Sequence, residues 1–285
     1  MSAVEVAQAG SAFLVNVVFA WLCASLLARR WLDGTALADL CVPVLARSNL
    51  ISLCGAGLGA LAAMCAAFAA MAVVELDQVH TVFIEAVVHT SLGRAYGIAM
   101  AALVLAAMAC VLRMNTLITV VLLTVFTLGR AQVSHAGGSG LFSAAMLADA
   151  LHLMLIGVWL GSVWISAWVV MPSAGGEPPL NYMASLSSAA TVALAGIVGT
   201  GLFGVWQRLD APARLADLPY GVVLSVKLAL FAIAALLGAY NRFAGFPAST
   251  RDGGACALRV LRIESLCLLS ALGAAAVLTM QQPPA

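Results

Sequence analysis

The ionisable side chains of this sequence gather at a few places in an otherwise apolar chain, and the richest is the stretch from Glu75 to His89. At about 100° per residue, Val79, Val82, Phe83 and Ala86 share one helical face. Asp77, Thr81, Glu85 and His89 step along the other, and His80 lies beside Asp77. The spacing predicts a short interfacial helix, apolar face down on a membrane surface. Its wet edge offers His80 and His89 together with carboxylates such as Glu85. Imidazole plus carboxylate suits copper, zinc or nickel; the same edge also reads as a solvated polar face. His135 follows in the glycine-rich stretch Gln132–Gly140, either as a ligand or as a solvated loop histidine. That stretch lacks the lysine and the strand-to-helix context of a phosphate-binding loop.

Asp149 and His152 are three residues apart, on one face of a helix, with Trp159 about two turns further on. Ionisable groups inside a membrane span are costly and face a partner or a cavity. A carboxylate one turn from an imidazole fixes its tautomer when it accepts the hydrogen bond from the ring nitrogen turned away from a metal. The competing role for Asp149 is that of a simple helix-start residue at the headgroup level. Lys227 either snorkels outward to the interface or balances Asp149 or a bound anion. Glu264, with Arg259 and Arg262, reads as an inner-edge anchor and ion-pair partner. Thioethers suit Cu(I), so Met71, Met146 and Met154 are candidate ligands beside their ordinary role in packing.

These residues need helices to hold them. Of 285 residues 64% are hydrophobic and 9% charged, against roughly 25% charged in a soluble domain, so the fold class expected is an all-α polytopic integral membrane protein. Charge-free stretches run over Val6–Ala28, Ser48–Val74, Ala95–Leu112, Met114–Gly129, Ala150–Gly176 and Pro178–Gln207. A seventh, Pro219–Asn241, is interrupted by Lys227, and an eighth begins near Ile263 and ends before Pro283. Each suits a span of about 20 residues, giving about eight transmembrane helices, with Arg113 the sole marker between the third and fourth. The pieces expected outside the membrane, about Arg29–Arg47, Glu75–Arg94 and Arg242–Arg259, are too short for a core of their own. Residues 1–285 therefore read as one helical bundle domain. Glu5 precedes the first apolar stretch and Arg29-Arg30 close it, the reverse of a cleavable signal peptide.

With the N-terminus outside, Arg29, Arg30, Arg47, Arg113, Arg242, Arg251, Arg259 and Arg262 fall on the cytoplasmic side and Arg94, Arg130, Arg208 and Arg214 outside. The basic-residue bias favours this orientation, which puts both termini in the periplasm. It also gathers the four histidines on the outer side and most cysteines on the inner one, the usual placement of reduced thiols. A net charge of +1 with no basic run gives nucleic acid nothing to bind. No ATP-binding motif is present, and no enzymatic activity is expected.

The later half of the chain carries an ordered set of short motifs. Ser134-His135-Ala136 leads to Asp149-Ala-Leu-His152-Leu and Val158-Trp159-Leu160-Gly161, then to Thr200-Gly201, Lys227-Leu-Ala-Leu-Phe231 and Asn241-Arg242. Glu264 and the closing Leu278-Thr279-Met-Gln-Gln-Pro283-Pro284 complete it. Together they resemble the CopD (PcoD) copper resistance family of bacterial inner-membrane proteins, most closely over residues 130–285. The resemblance implies a multi-pass protein moving copper ion, as Cu(I) or Cu(II), from periplasm to cytoplasm and contributing to copper homeostasis. It implies delivery by a separate periplasmic CopC-type copper-binding protein, and His135 and His152 as metal contacts. His80 and His89 rest on the reading of their own segment. The alternative is a b-type haem redox protein with paired histidines as axial ligands.

Overall fold

The computed structural model describes residues 2–72, 89–134, 142–175, 179–208 and 219–279, with the side chains of residues 70–72, 208 and 219 outside that description. Among the described residues all regular structure is helical. Eight helices follow the eight apolar stretches: α1 Ala3–Leu32, α2 Leu37–Ala72, α3 Ser91–Val111, α4 Thr116–Gln132, α5 Ala144–Ile165, α6 Leu180–Arg208, α7 Pro219–Tyr240 and α8 Ala255–Leu278. All but α4 are long and apolar enough to cross a membrane. At 17 residues, α4 spans about 26 Å, just short of a hydrocarbon core of about 30 Å. The chain is an all-α, multi-pass membrane protein.

The break between α3 and α4 falls where Arg113 marks it. Arg113 takes a left-handed conformation (φ 52°), and the Asn115 side chain caps α4 by accepting from Leu117 N at 2.9 Å. The hairpin joining α7 to α8 is equally local. After Phe246–Asp252, Gly253 and Gly254 both have positive φ (63° and 76°), a conformation that glycine adopts without cost. The Asp252 carboxylate accepts from Gly254 N and Cys256 N. Two of the pieces expected outside the membrane are largely helical rather than loops. Arg29–Arg47 reduces to a short turn between Leu32 and Leu37. Most of Arg242–Arg259 is helix as well.

α1 and α5 form the centre. α1 packs against α2, α5 and α8, while α5 packs against α1, α4, α6 and α8. Without a strong hydrophobic drive inside a bilayer, helices associate where small residues let backbones approach. Ala20, Ala24 and Ala28 form such a stripe on α1, all buried. Gly161 of α5 meets it so closely that an added Cβ would collide with the Ala20 carbonyl oxygen. One turn earlier, Gly157 leaves room for the Phe19 ring. The cysteines are free thiols.

Two helices are distorted in the same way. α5 runs into a π-helical turn, Ser166–Val170, and α7 into another, Asn241–Gly245. In both a proline follows at the same offset, Pro172 after Met171 and Pro247 after Phe246. Proline has no N–H to give the carbonyl four residues back, and its ring crowds that carbonyl. The ladder widens instead, with Met171 N–H reaching Ser166 O and Phe246 N–H reaching Asn241 O.

Candidate functional site

One face of α5 carries Asp149, His152, Trp159 and Ser166 at alternating three- and four-residue steps, with Ile156 and Val163 completing the row. From Asp149 to Ser166 the row covers about 26 Å along the axis, most of the thickness of a bilayer core. Each polar member meets a partner on another element. The Ser134 hydroxyl, just past α4, donates to Asp149 Oδ2 at 3.0 Å. His152 Nδ1 lies 2.7 Å from Thr200 Oγ1 on α6. Trp159 Nε1 donates to Glu264 Oε1 on α8 at 3.0 Å. The hydroxyls of Ser166 and Tyr182 are 3.0 Å apart. A tether to another element at each level is what holds a polar row in place within an apolar bundle.

The geometry at His152 is specific about protons. Thr200 Oγ1 also lies 2.7 Å from the Gly196 carbonyl, which can only accept. With the single hydroxyl hydrogen given to that carbonyl, Thr200 is placed to accept from His152 Nδ1–H. Gly201 lies against the same ring, its would-be Cβ 3.7 Å from His152 Cε1. Thr200, on a second helix, is thus a partner of the His152 ring that lies beyond its own helix.

Glu264 departs furthest from expectation. Instead of anchoring the inner edge of the last helix, it lies near the middle of α8 at 2% exposure. No ion pair reaches it among the described residues. Around it, the Trp159 ring packs edge-on against Phe231 of α7 at 5.5 Å between centroids. Gly238 leaves the space its carboxyl group fills, a Cβ there lying 3.1 Å from Oε1. The charge was visible in the sequence; its depth was hidden because α8 starts at Ala255, more than two turns before Glu264. Arg262, expected beside it, turns to the Trp168 ring at 4.9 Å, and Trp168 Nε1 donates to Ser265.

The other candidates are dispersed. His89 is exposed, one residue before Thr90, which caps α3. Met146 is buried in a small cluster with Ala131 and Ala150, and Met154 packs against the cluster around Phe19, Leu103 and Phe126. Lys227 is half-buried on α7, and among the described residues no ion pair joins it to Asp149. His80, Glu85 and His135 lie outside the described residues, as does the Met71 side chain. Among the described residues no three His, Cys, Asp or Glu side chains converge as a metal-binding group. The residues brought together are those that formed the ordered motifs: Asp149, His152, Trp159, Thr200, Gly201, Phe231 and Glu264.

Residues 180–278 match the family model described as Copper resistance protein D. The match takes in Thr200, Phe231 and Glu264 and stops short of α5, whose His152 and Trp159 they contact. No curated protein and no solved structure matches the chain.

Proposed function

With residues 180–278 carrying a copper resistance protein D domain, we propose that this membrane protein moves copper from the periplasm to the cytoplasm across the bacterial inner membrane. The observation that carries the reading is the His152–Thr200 pair, which anchors the imidazole within the bundle through Nδ1 as partners of metal-bound histidines do. Asp149 stands one turn outward, held by Ser134, the residue before His135. His135 and His152 together form the capture site. His80 and His89 collect the ion from the outer surface, with Glu85 orienting them, and Met71, Met146 and Met154 serve the ion as Cu(I). A separate CopC-type periplasmic protein delivers it.

Copper titration of the purified protein tests this. Replacing His135 and His152 together with alanine is expected to weaken binding by more than tenfold, about 1.4 kcal/mol. Thr200→Val leaves the ligand in place but removes its orienting partner, and losses of this kind run to about 10–100-fold. Unchanged affinity in the double variant sinks the site. The absorbance spectrum of the protein as isolated should lack a Soret band; its presence would favour haem ligation over copper capture.

The orientation has its own test. Reporter fusions at Gly34 and Gly253, in the turns after α1 and after α7, should report the cytoplasm, and fusions at either terminus the periplasm. The opposite pattern would turn the capture site to the wrong side.

A further inference from the structure

The polar row on α5 accounts for capture at its outer end but gives no role to the carboxyl group at its middle. Glu264 is 2% exposed and, among the described residues, receives one hydrogen bond, that of Trp159 Nε1. An indole N–H bond is satisfied by a neutral carboxyl and falls far short of what a carboxylate needs in a low-dielectric setting.

The ionisable groups around Glu264 do not supply the rest. On α8, Cys267 is one turn away and Arg262 is engaged with Trp168; Arg259 lies a further turn toward the helix start. On the α7 helix, Lys227 is about 16 Å from Gly238 along the axis, and Arg242, just past Gly238, bonds to Ser187 and Thr191. On α5, His152 is about 10 Å outward of Trp159 and Asp149 further still. On α1, Glu5 and Arg29-Arg30 stand near opposite ends of the helix, and Arg251 and Asp252 lie at the α7–α8 turn. A positive charge beside Glu264 therefore has to come from outside the described residues, and the proposed cargo is a cation.

We infer that Glu264 is a proton-exchange site: it holds its proton while the bundle is empty and releases it when a cation enters the row beside Trp159. The exchange balances: the carboxyl O–H bond breaks, the proton leaves to water, and the incoming cation replaces its charge. When the cation moves on, the carboxylate takes a proton back. No electron is transferred. The inference rests on the reading of the row as a cation path.

The experiment uses the full-length protein in detergent, weakly buffered with a pH indicator, and Cu(I) kept reduced as the probe. Wild type should release about one proton for each copper bound, whereas Glu264→Gln, which keeps the shape and an acceptor for Trp159, should bind copper with that release abolished. His152→Ala should bind weakly yet keep the proton stoichiometry of whatever binds. Equal release by wild type and Glu264→Gln overturns the exchange while leaving copper capture standing. Copper binding absent from folded wild type overturns both. A copper-free check separates proton exchange from packing: Trp159 fluorescence should change with pH in wild type and stay flat in Glu264→Gln. A flat profile in both overturns the exchange; a misfolded Glu264→Gln would be replaced by Glu264→Met in the same comparison.

Discussion

Gly161→Leu should abolish recovery of folded protein. The site is the closest approach at any glycine among the described residues, where a Cβ on Gly161 would run into the Ala20 carbonyl and come within 2.8 Å of the Ala24 methyl. A flexible side chain could give way, but these are the backbone and the shortest side chain of the helix opposite. The two central helices must therefore separate, and every level of the α5 row moves with them. Overpacking of a fixed core costs typically about 1–3 kcal/mol; at a crossing shared by the two most central helices the loss should reach or exceed the upper end. Gly161→Ala is expected to lower thermal stability measurably for the same reason. Gly199 supplies the control, since a Cβ there meets nothing within 4 Å, and Gly199→Ala should fold as wild type. Size-exclusion profiles and melting curves in detergent check all three. A monodisperse, stable Gly161→Leu protein would mean that the α1–α5 crossing is looser than described.

Trp159→Phe should produce the second large loss. It keeps an aromatic ring near Phe231 but removes the N–H that reaches Glu264. A buried acceptor left without its donor costs about 1–3 kcal/mol, more for a charged group. Removing both partners is different: Trp159→Phe combined with Glu264→Leu leaves no unsatisfied polar atom, so the double variant should recover much of the stability lost by the single one. Melting temperatures of the two singles and the double give the coupling between the sites. Additive losses would show that the indole–carboxyl bond contributes nothing.

The spans were legible because a bilayer imposes a length and a composition that few other constraints disturb. Arg113 marked a true helix break, and the three-residue step from Asp149 to His152 placed both on one face. What sequence spacing cannot supply is the partner on another helix. Within α5, spacing puts Asp149 one turn from His152; that Thr200 meets Nδ1 from another helix is visible only in the folded bundle. Glu264 was misplaced because charges had been used as markers of helix ends, a rule that fails for a carboxyl group enclosed by Trp159 and Gly238. The same rule brackets Arg29–Arg47 and Arg242–Arg259 but not the turns within them, at Gly34 and Gly253-Gly254, which are set by backbone conformation rather than charge. The outer collecting segment around His80 and Glu85, and His135, lie beyond the described residues and stand as proposals.

The π-helical turns make deletions at the C-terminal ends of α5 and α7 differ in kind from substitutions there. A wide turn holds one residue more than the same length of α-helix, so it acts as a built-in insertion that the helix absorbs without breaking. Everything after it is rotated by about 100° from where an unbroken 3.6-residue count would put it. Ser173, which follows the wide turn of α5, and Ser249, which follows that of α7, face where they do because of that surplus residue. Removing any one residue from Ser166–Val170 would restore an ordinary helix and swing Met171–Ser173 away from its neighbours, whereas a point substitution at the same place would not. The first resets the phase of the helix, and the second alters only a side chain.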